Sequence, residues 1–472
     1  MPPKYHIPIK PVPPRFYPVA KNILVESDEN CLHCARCVKE LCPYDAYKKR
    51  YIDPISGYDT INNLCKDCYR CVQGCIQGTI TKVPNPEYRA LGDSHWTPEI
   101  ISTTWYQAET GRIPVSGAGY GGPFQGPGFD SIWTDMSEIV RPTRDGIHGR
   151  EYISTAVCLG RKPLFLSLDE QGEPVIPPFP ALELPLPMLL SEPGLAGDRS
   201  LVRLAMIKAA QVLGTMLILP RDHITPDFFT YLPYLVPQYE AGQLDLNDPC
   251  LAQVGAVALT DYPEVTMAVE QLKERFPKVV VMIQIPADDQ VACRCETLAS
   301  AGVEILHIYA DDHAQGRGRA QDQHLKDLIR QMHLHLVERA LRDGVTLIAS
   351  GGIALAEHVA KAIICGVDGV AIDLPLLVAL ECRLCRRCLE GQSCPVDLDN
   401  LDPERGAQRL INLMGAWNNQ LLEVLGAMGI REVQRLRGEI GRAMFFEELE
   451  QETFAPLFSL TTGPASAERR DS

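Results

Sequence analysis

Short apolar runs alternate with amphipathic stretches through the middle of the chain. Runs at 186–190, 216–219, 254–259, 279–285, 303–308, 345–349 and 369–372 span four to seven residues and are rich in Val, Ile and Leu. Runs of that length, bounded by turn residues, predict strands buried on both faces, as in a parallel sheet. An eighth strand is expected around 231–238, where prolines blur the pattern. Between several runs, 199–213, 264–276 and 356–365 carry apolar residues at helical spacing and predict amphipathic helices. Strand and helix alternating, with one turn-rich stop per unit, predict an α/β unit over 181–380, either a (β/α)8 barrel or a doubly wound sheet. Helical spacing returns over 404–452, with Leu410, Leu413, Leu421, Leu422 and Leu425, and predicts a helical C-terminal segment within 399–472.

The N-terminal part reads differently. Residues 1–20 carry Pro8, Pro11, Pro13, Pro14 and Pro18, which predict an extended arm laid on a partner. Residues 21–85 form a cysteine-rich unit with small strands expected around Ile52 and at 79–81. Residues 86–180 read as a linker and pre-barrel segment. Its glycine-rich loop at 116–123 lacks the preceding strand and following helix of a phosphate cradle, so a surface linker is expected. The stretch 141–150 holds three Arg and His148, and stays open between a solvated basic turn and an anion or interdomain contact.

Bulk composition adds exclusions. The 472 residues are 22% charged and 46% hydrophobic, ordinary usage for a globular chain. A net charge of −15 argues against nucleic acid as a partner. No uninterrupted apolar run reaches the length of a membrane span. The start, Met1-Pro2-Pro3-Lys4, lacks the apolar core of a secretory signal, so a cytoplasmic location with reduced thiols is expected.

The cysteines carry the chemistry. Twelve of the 17 fall in three tight runs: Cys31, Cys34, Cys37 and Cys42 before Pro43; Cys65, Cys68, Cys71 and Cys75; and Cys382, Cys385, Cys388 and Cys394 before Pro395. Gaps of two residues place thiolates around one compact soft-metal centre, and a fourth Cys closes it. Structural zinc more often uses paired Cys-x2-Cys units, and disulfides do not suit a chain without an export signal. Iron–sulfur ligation is the reading carried forward.

The tandem runs resemble those of bacterial two-cluster ferredoxins, where the fourth Cys of each run ligates the other cluster. The resemblance implies two 4Fe–4S clusters, one on Cys31, Cys34, Cys37 and Cys75, the other on Cys65, Cys68, Cys71 and Cys42.

Downstream, Ala349-Ser350-Gly351-Gly352-Ile353, a helix, and Gly366-Val367-Asp368-Gly369-Val370-Ala371-Ile372 run into Leu380-Glu381-Cys382 and end at Cys394-Pro395-Val396. This order is similar to the FMN and iron–sulfur domain of the glutamate synthase large subunit, in a ferredoxin-fused form. The resemblance implies a TIM-type (β/α)8 barrel over 181–380 with an N-terminal two-cluster ferredoxin-like domain at 21–85. It implies FMN near Ser191, Ser350, Gly351, Gly352 and Gly369. It also implies a cluster loop at 381–398, with Cys382, Cys388 and Cys394 as the family's three ligands. Cys385 is additional, which leaves a 3Fe–4S and a 4Fe–4S cluster open. The pattern departs from the family in four places. The strand at 279–285 has no lysine. The loop at 311–319 matches the family's substrate loop only loosely. Asp373 stands where a phosphate-loop glycine is expected, and no amidotransferase half precedes the barrel.

Other residues read blandly. His307, His313, His324, His333 and His335 are expected to be solvated or partly buried, and Cys158, Cys250, Cys293, Cys295 and Cys365 to be packing residues. The chain thus reads as an iron–sulfur, flavin-linked electron-transfer subunit working with other redox proteins. A ferredoxin-dependent glutamate synthase-type enzyme is the second reading, and a purely structural assembly subunit the third.

Overall fold

The computed structural model describes residues 5–26, 30–32, 34–48, 61–113, 126–134, 153–162, 168–172, 179–194 and 199–446. The glycine-rich loop at 116–123, the Arg-rich stretch at 141–150 and the strand expected around Ile52 lie outside them.

The apolar runs close into a barrel rather than an open sheet. Its strands are β1 (Met188–Ser191), β2 (Leu217–Pro220), β3 (Leu235–Tyr239), β4 (Ala256–Thr260), β5 (Val280–Pro286), β6 (Ile305–Tyr309), β7 (Thr346–Ser350) and β8 (Gly369–Ile372). All neighbours are parallel, and β8 pairs back onto β1 through Val370–Met188 and Ile372–Leu190. Closure leaves no sheet edge, and both faces of each strand are covered, which is why the runs are apolar throughout. The outer helices are α1 (Ser200–Leu213), α2 (Val265–Arg275), α3 (Val291–Ser300), α4 (Leu325–Glu338), α5 (Ala356–Cys365) and the short α6 (Leu374–Ala379). The second and third units have 3-10 turns, Pro226–Tyr234 and Pro249–Ala252, in place of α-helices. Pro233 inside the first of these removes a backbone donor. The eighth strand therefore starts later than expected, at Leu235, after Tyr231–Tyr234 have gone into the turn.

An antiparallel hairpin of Val157–Gly160 and Ala181–Leu184 closes the N-terminal face of the barrel. The Gly160 N–H donates to Thr346 Oγ1 at the start of β7, and that hydroxyl donates back to the Gly160 carbonyl. Catalytic and binding groups of such barrels gather at the other face, where the strands end.

The C-terminal helix differs from expectation. It runs from Pro403 to Ala427 as α7, packed on α1 and on the helix Pro98–Thr110. It stops before Gly429, which takes the left-handed φ of 68°. Short turns follow, then a strand Ala443–Phe445 paired with Ile132–Thr134.

The proline-rich arm is laid on this chain itself. Fully buried Asn412 of α7 donates to the Lys10 and Ala108 carbonyls and accepts from the Lys10 N–H. Arg409 donates to the Val12 and Ala379 carbonyls. Ile9 sits against Gly111 and Gly415, where any Cβ would approach it within 2.2 and 3.0 Å. Asn412→Ala should lower unfolding stability by about 1–3 kcal/mol, the cost of leaving buried backbone groups unpartnered. Urea titration measures the loss, and faster proteolysis within residues 5–18 should accompany it. An unchanged midpoint and an unchanged digest would show that the arm is held by other contacts.

Candidate functional site: the cysteine runs and the barrel mouth

The two N-terminal runs meet around one small core. Strand Asn22–Glu26 pairs antiparallel with Ile80–Pro84, so the strand expected at 79–81 is present and its partner precedes the cysteines. Leu24, Cys37, Ala46, Tyr47, Cys71 and Ile80 are buried together, with Cys42, Cys65 and Cys75 packed against them. Five cysteines from both runs thus share a core of only six buried residues. Cys34 and Cys68 are exposed and Cys31 is half-buried. Burial pushes the Cys37 thiol up to about 11. The bond to the Thr79 hydroxyl, at 3.3 Å, brings Cys75 down to about 7.

The backbone is unusual within each run. Ten described non-glycine residues have positive φ, and five of them lie inside Cys-x2-Cys-x2-Cys segments: Ala35, Asp67, Tyr69, Leu384 and Arg386. Left-handed residues alternating with extended or helical ones turn successive N–H groups inward, the concave arrangement found at many anion and iron–sulfur sites. In the second run Asp67 is steadied by Asn22 and Lys82, at 2.9 Å each.

The third run lies across the mouth of the barrel. Helix α6 delivers Cys382, whose N–H bonds the Leu377 carbonyl. Cys382, Cys385, Cys388 and Cys394 line one cavity of about 80 Å³, walled also by Leu374, Leu377, Leu389, Val396, Gly194 and Asp312. The Leu384 N–H donates to Cys382 Sγ at 3.4 Å. Both ends of the run are clamped by the arm. The Arg15 side chain pairs with Glu381 at 2.8 Å and donates to the Val396 carbonyl, while its N–H donates to Glu381.

Beside this cavity, Ser191 ends β1 and Ser350 ends β7, so both stand at the mouth. Ser350 Oγ lies 2.8 Å from His307 Nε2, and His307 Nδ1 lies 3.4 Å from the Gln284 amide. Burial holds His307 down to about 4, so it is neutral; with Gln284 donating to Nδ1, the Nε2–H donates to Ser350. Gly351 and Gly352 follow at φ 95° and 65°. A Cβ on Gly352 would reach 2.1 Å from the Ala314 N, so only glycine permits this turn against the loop after β6.

Gly369 is not at this site. It begins β8, at the closed N-terminal face, where a Cβ would meet the Pro187 carbonyl at 2.9 Å. Its role is strand packing, three residues from the end that reaches the mouth.

Residues 92–96 join these parts, and periodicity gives no sign of it. His95 Nε2 lies 2.9 Å from the Gly352 carbonyl, and the Trp96 indole donates to the Asp312 carbonyl. Asp93 accepts from His313 at 3.1 Å and from Arg386 at 3.0 Å. The Gly92 N–H bonds the Arg383 carbonyl. One short strap therefore ties the Ser-Gly-Gly turn to the third cysteine run. At β1, Glu192 joins Arg203 and His223, each at 2.6 Å, also unforeseen.

The histidines are mostly structural. His307 is more buried than expected. His324 caps α4, His333 accepts from Arg342, and His335 pairs with Glu296. Among the described residues, Asp130, Glu357 and His358 lie close enough for a metal. His358 Nδ1 already accepts the Ala354 N–H, and Lys361 stands beside both carboxylates, so this is a charge-paired knot. Cys250, Cys295 and Cys365 are buried packing residues. Cys293 is exposed while Cys295 is buried against Met332, so the two do not face one another.

The conserved region of glutamate synthase matches residues 256–431, from β4 through α7. Over 89% of its length the chain is 25% identical to the archaeal-type glutamate synthase [NADPH] of Dehalococcoides mccartyi, covering 94% of that protein. It is 26% identical to the archaeal glutamate synthase [NADPH] of Archaeoglobus fulgidus, across 87% of this chain and 91% of that one. The chain is thus similar to glutamate synthases, through the matched region and at low identity over most of its length. Among solved structures, the flavin-binding domain of baker's yeast flavocytochrome b2 matches 82% of the chain at a TM-score of 0.43 and 13% identity, too remote to carry a function. The similarity to the archaeal-type proteins extends well beyond the barrel, because it covers nearly nine-tenths of the chain. No described helix of this glutamate synthase-like protein is long and apolar enough to cross a membrane.

Proposed function

We propose that this glutamate synthase-like chain is the iron–sulfur, flavin-linked electron-transfer subunit of a larger redox complex. The observation that carries the reading is the shared left-handed backbone of the cysteine runs, at the N-terminal unit and again at the barrel mouth. Cys31, Cys34, Cys37 and Cys75 would hold one 4Fe–4S cluster and Cys65, Cys68, Cys71 and Cys42 a second. Cys382, Cys388 and Cys394 would hold a third beside the barrel. The small core of residues 21–85, rich in thiols, suits a unit held by its metal.

FMN fits this barrel in part. The Ser350-Gly351-Gly352 turn at the end of β7, with Ser191 opposite β8, offers a hydroxyl and backbone N–H groups to a phosphate. The end of β8 fits less well. Asp373, half-buried, already accepts the Leu374 N–H at 2.6 Å, where a phosphate would otherwise approach. FMN, when bound, would link two-electron chemistry to one-electron carriers such as the clusters. The chain's own residues supply position. His307 fixes the Ser350 hydroxyl, and the strap at 92–96 fixes the distance from that turn to the third run.

The second reading, a glutamate-forming enzyme reducing 2-oxoglutarate with ammonia, is favoured by the near-complete coverage of the archaeal-type glutamate synthases. Against it, β5 offers no lysine at the mouth and its polar residue Gln284 is engaged with His307.

Anaerobically purified protein should contain at least about eight iron and eight acid-labile sulfide, the content of two 4Fe–4S clusters. A yellow chromophore released from it should be FMN. An iron-free, zinc-containing protein would remove the reading. Given reduced viologen, 2-oxoglutarate and ammonia or glutamine, the protein should form no glutamate at enzymatic turnover; steady glutamate production would establish the second reading instead.

A further inference from the structure

We propose that Cys385 is the fourth thiolate of a four-iron cluster in the cavity between the barrel mouth and the Cys382–Cys394 loop. The inference rests on the reading that the third run holds a cluster. It departs from the three-ligand pattern that family resemblance implies, in which Cys385 would be a bystander.

The backbone argues against a bystander. Residue for residue, the third run repeats the second. The residue before the middle Cys is left-handed in both, Asp67 at φ 54° and Leu384 at φ 49°. The residue after it is left-handed too, Tyr69 at φ 58°, ψ 5° and Arg386 at φ 57°, ψ 6°. A helical turn then begins in each, at Arg70 and at Arg387, and carries the last Cys of the triplet one residue later. The left-handed residues differ in type, Asp67 and Tyr69 against Leu384 and Arg386, so the common backbone follows from the Cys-x2-Cys-x2-Cys spacing. Left-handed Leu and Arg are unfavourable, and both flank Cys385 directly. An exposed residue with no packing role would not justify that conformation on each side.

The cavity supplies the second observation. All four cysteines line the same space, whose wall is otherwise mostly Leu374, Leu377, Leu389, Val396 and Leu398, with Arg199, Asp312, Arg383 and Arg386 also lining it. Cys382, Cys388 and Cys394 are half-buried and Cys385 is exposed, so the cysteines border the cavity at different depths. A chiefly apolar wall that brings Arg199, Arg383 and Arg386 to four cysteines suits an anionic cluster, and the Leu384 N–H on Cys382 Sγ is the hydrogen bond that tunes such a sulfur. Arg386, held by Asp93, fixes the residue next to Cys385 to the strap that reaches the Ser-Gly-Gly turn.

The test uses the full chain, purified anaerobically and reconstituted with iron and sulfide, as wild type, Cys385→Ser and Cys382→Ser. Circular dichroism confirms that each variant is folded. EPR of the oxidised protein reads the third site without interference from oxidised four-iron clusters, which are silent. Wild type should lack the three-iron signal. Cys385→Ser should acquire it near stoichiometrically, by loss of the iron that has no protein ligand. Cys382→Ser should lose iron from the site. A three-iron signal of equal size in wild type and Cys385→Ser would overturn the fourth-ligand assignment while leaving a cluster in place. Iron content unchanged in Cys382→Ser would overturn the cluster itself, and with it that part of the proposed function. Intact N-terminal clusters in every variant separate either failure from a general loss of metal.

Discussion

Asp368→Asn should lower the unfolding free energy at neutral pH by about 3–5 kcal/mol, the usual loss when one partner of a buried ion pair is removed. Asp368 lies under the barrel, just before β8, and is fully enclosed. Its carboxylate takes Arg342 at 2.9 Å, Arg437 at 2.7 Å and the Leu347 N–H at 2.8 Å. Burial alone would raise its pKa, but the two guanidinium groups outweigh that and hold it below the usual carboxylate range. Asparagine keeps the shape and the acceptor for Leu347. It leaves Arg342, itself buried, without a countercharge. The sign with pH follows from the depressed value. The stabilisation is complete above the unfolded carboxyl's pKa of about 4 and is lost as pH falls through the folded one. Urea titrations of both proteins at pH 7 measure the difference. A loss under about 1 kcal/mol would mean that Arg437 and solvent compensate Arg342 without the carboxylate.

The same residue illustrates what the sequence can and cannot reveal. Asp368-Gly369-Val370 reads as a flavin-type segment, and β8 does form there. Periodicity gives the strand but not which end faces the ligand, so Gly369 reads as a mouth residue although it begins β8 at the closed face. The apolar runs predicted seven strands near their true positions because a parallel barrel buries both faces of each. The eighth was blurred by Pro233 and Pro237, which belong to a 3-10 turn and a strand that tolerates it. The cysteine runs were legible because their spacing is local. The strap at 92–96 was not. Its bonds join Asp93 to His313 and Arg386, and His95 to Gly352, over more than 200 residues of chain. No local pattern encodes such pairings. The arm was legible as extended from its prolines, but its docking depends on Asn412, Arg409 and two glycines that look ordinary in sequence.

Asp373→Asn should have the opposite effect to Asp368→Asn and stabilise the protein, by about 3 kcal/mol at pH 8. The two carboxyls bracket one strand, yet their surroundings differ. Among the described residues Asp373 has no cationic partner; it caps Leu374, and Asp312 lies near enough to repel it. Burial, and then that repulsion, push its pKa up to about 6. A folded value above the unfolded one of about 4 means the folded state binds the proton more tightly. Stability therefore falls as pH rises from about 4 to about 6 and is flat beyond. Asparagine caps a helix as well as aspartate does and carries no charge, so it removes this penalty. The advantage of the variant should shrink to about half at pH 5, and comparing the two proteins at each pH cancels every other titrating group. An advantage that does not change between pH 5 and pH 8 would mean that Asp373 ionises in the folded protein as readily as in the unfolded chain, with no raised pKa. The same substitution bears on the flavin. Removing a negative charge from the end of β8 should tighten FMN binding at pH 8, measured by fluorescence quenching on the apoprotein, and should do so far less at pH 5, where Asp373 is already largely protonated. A flavin affinity equal in both proteins at pH 8 would place the phosphate away from β8 and leave the Ser350-Gly351-Gly352 turn as its anchor.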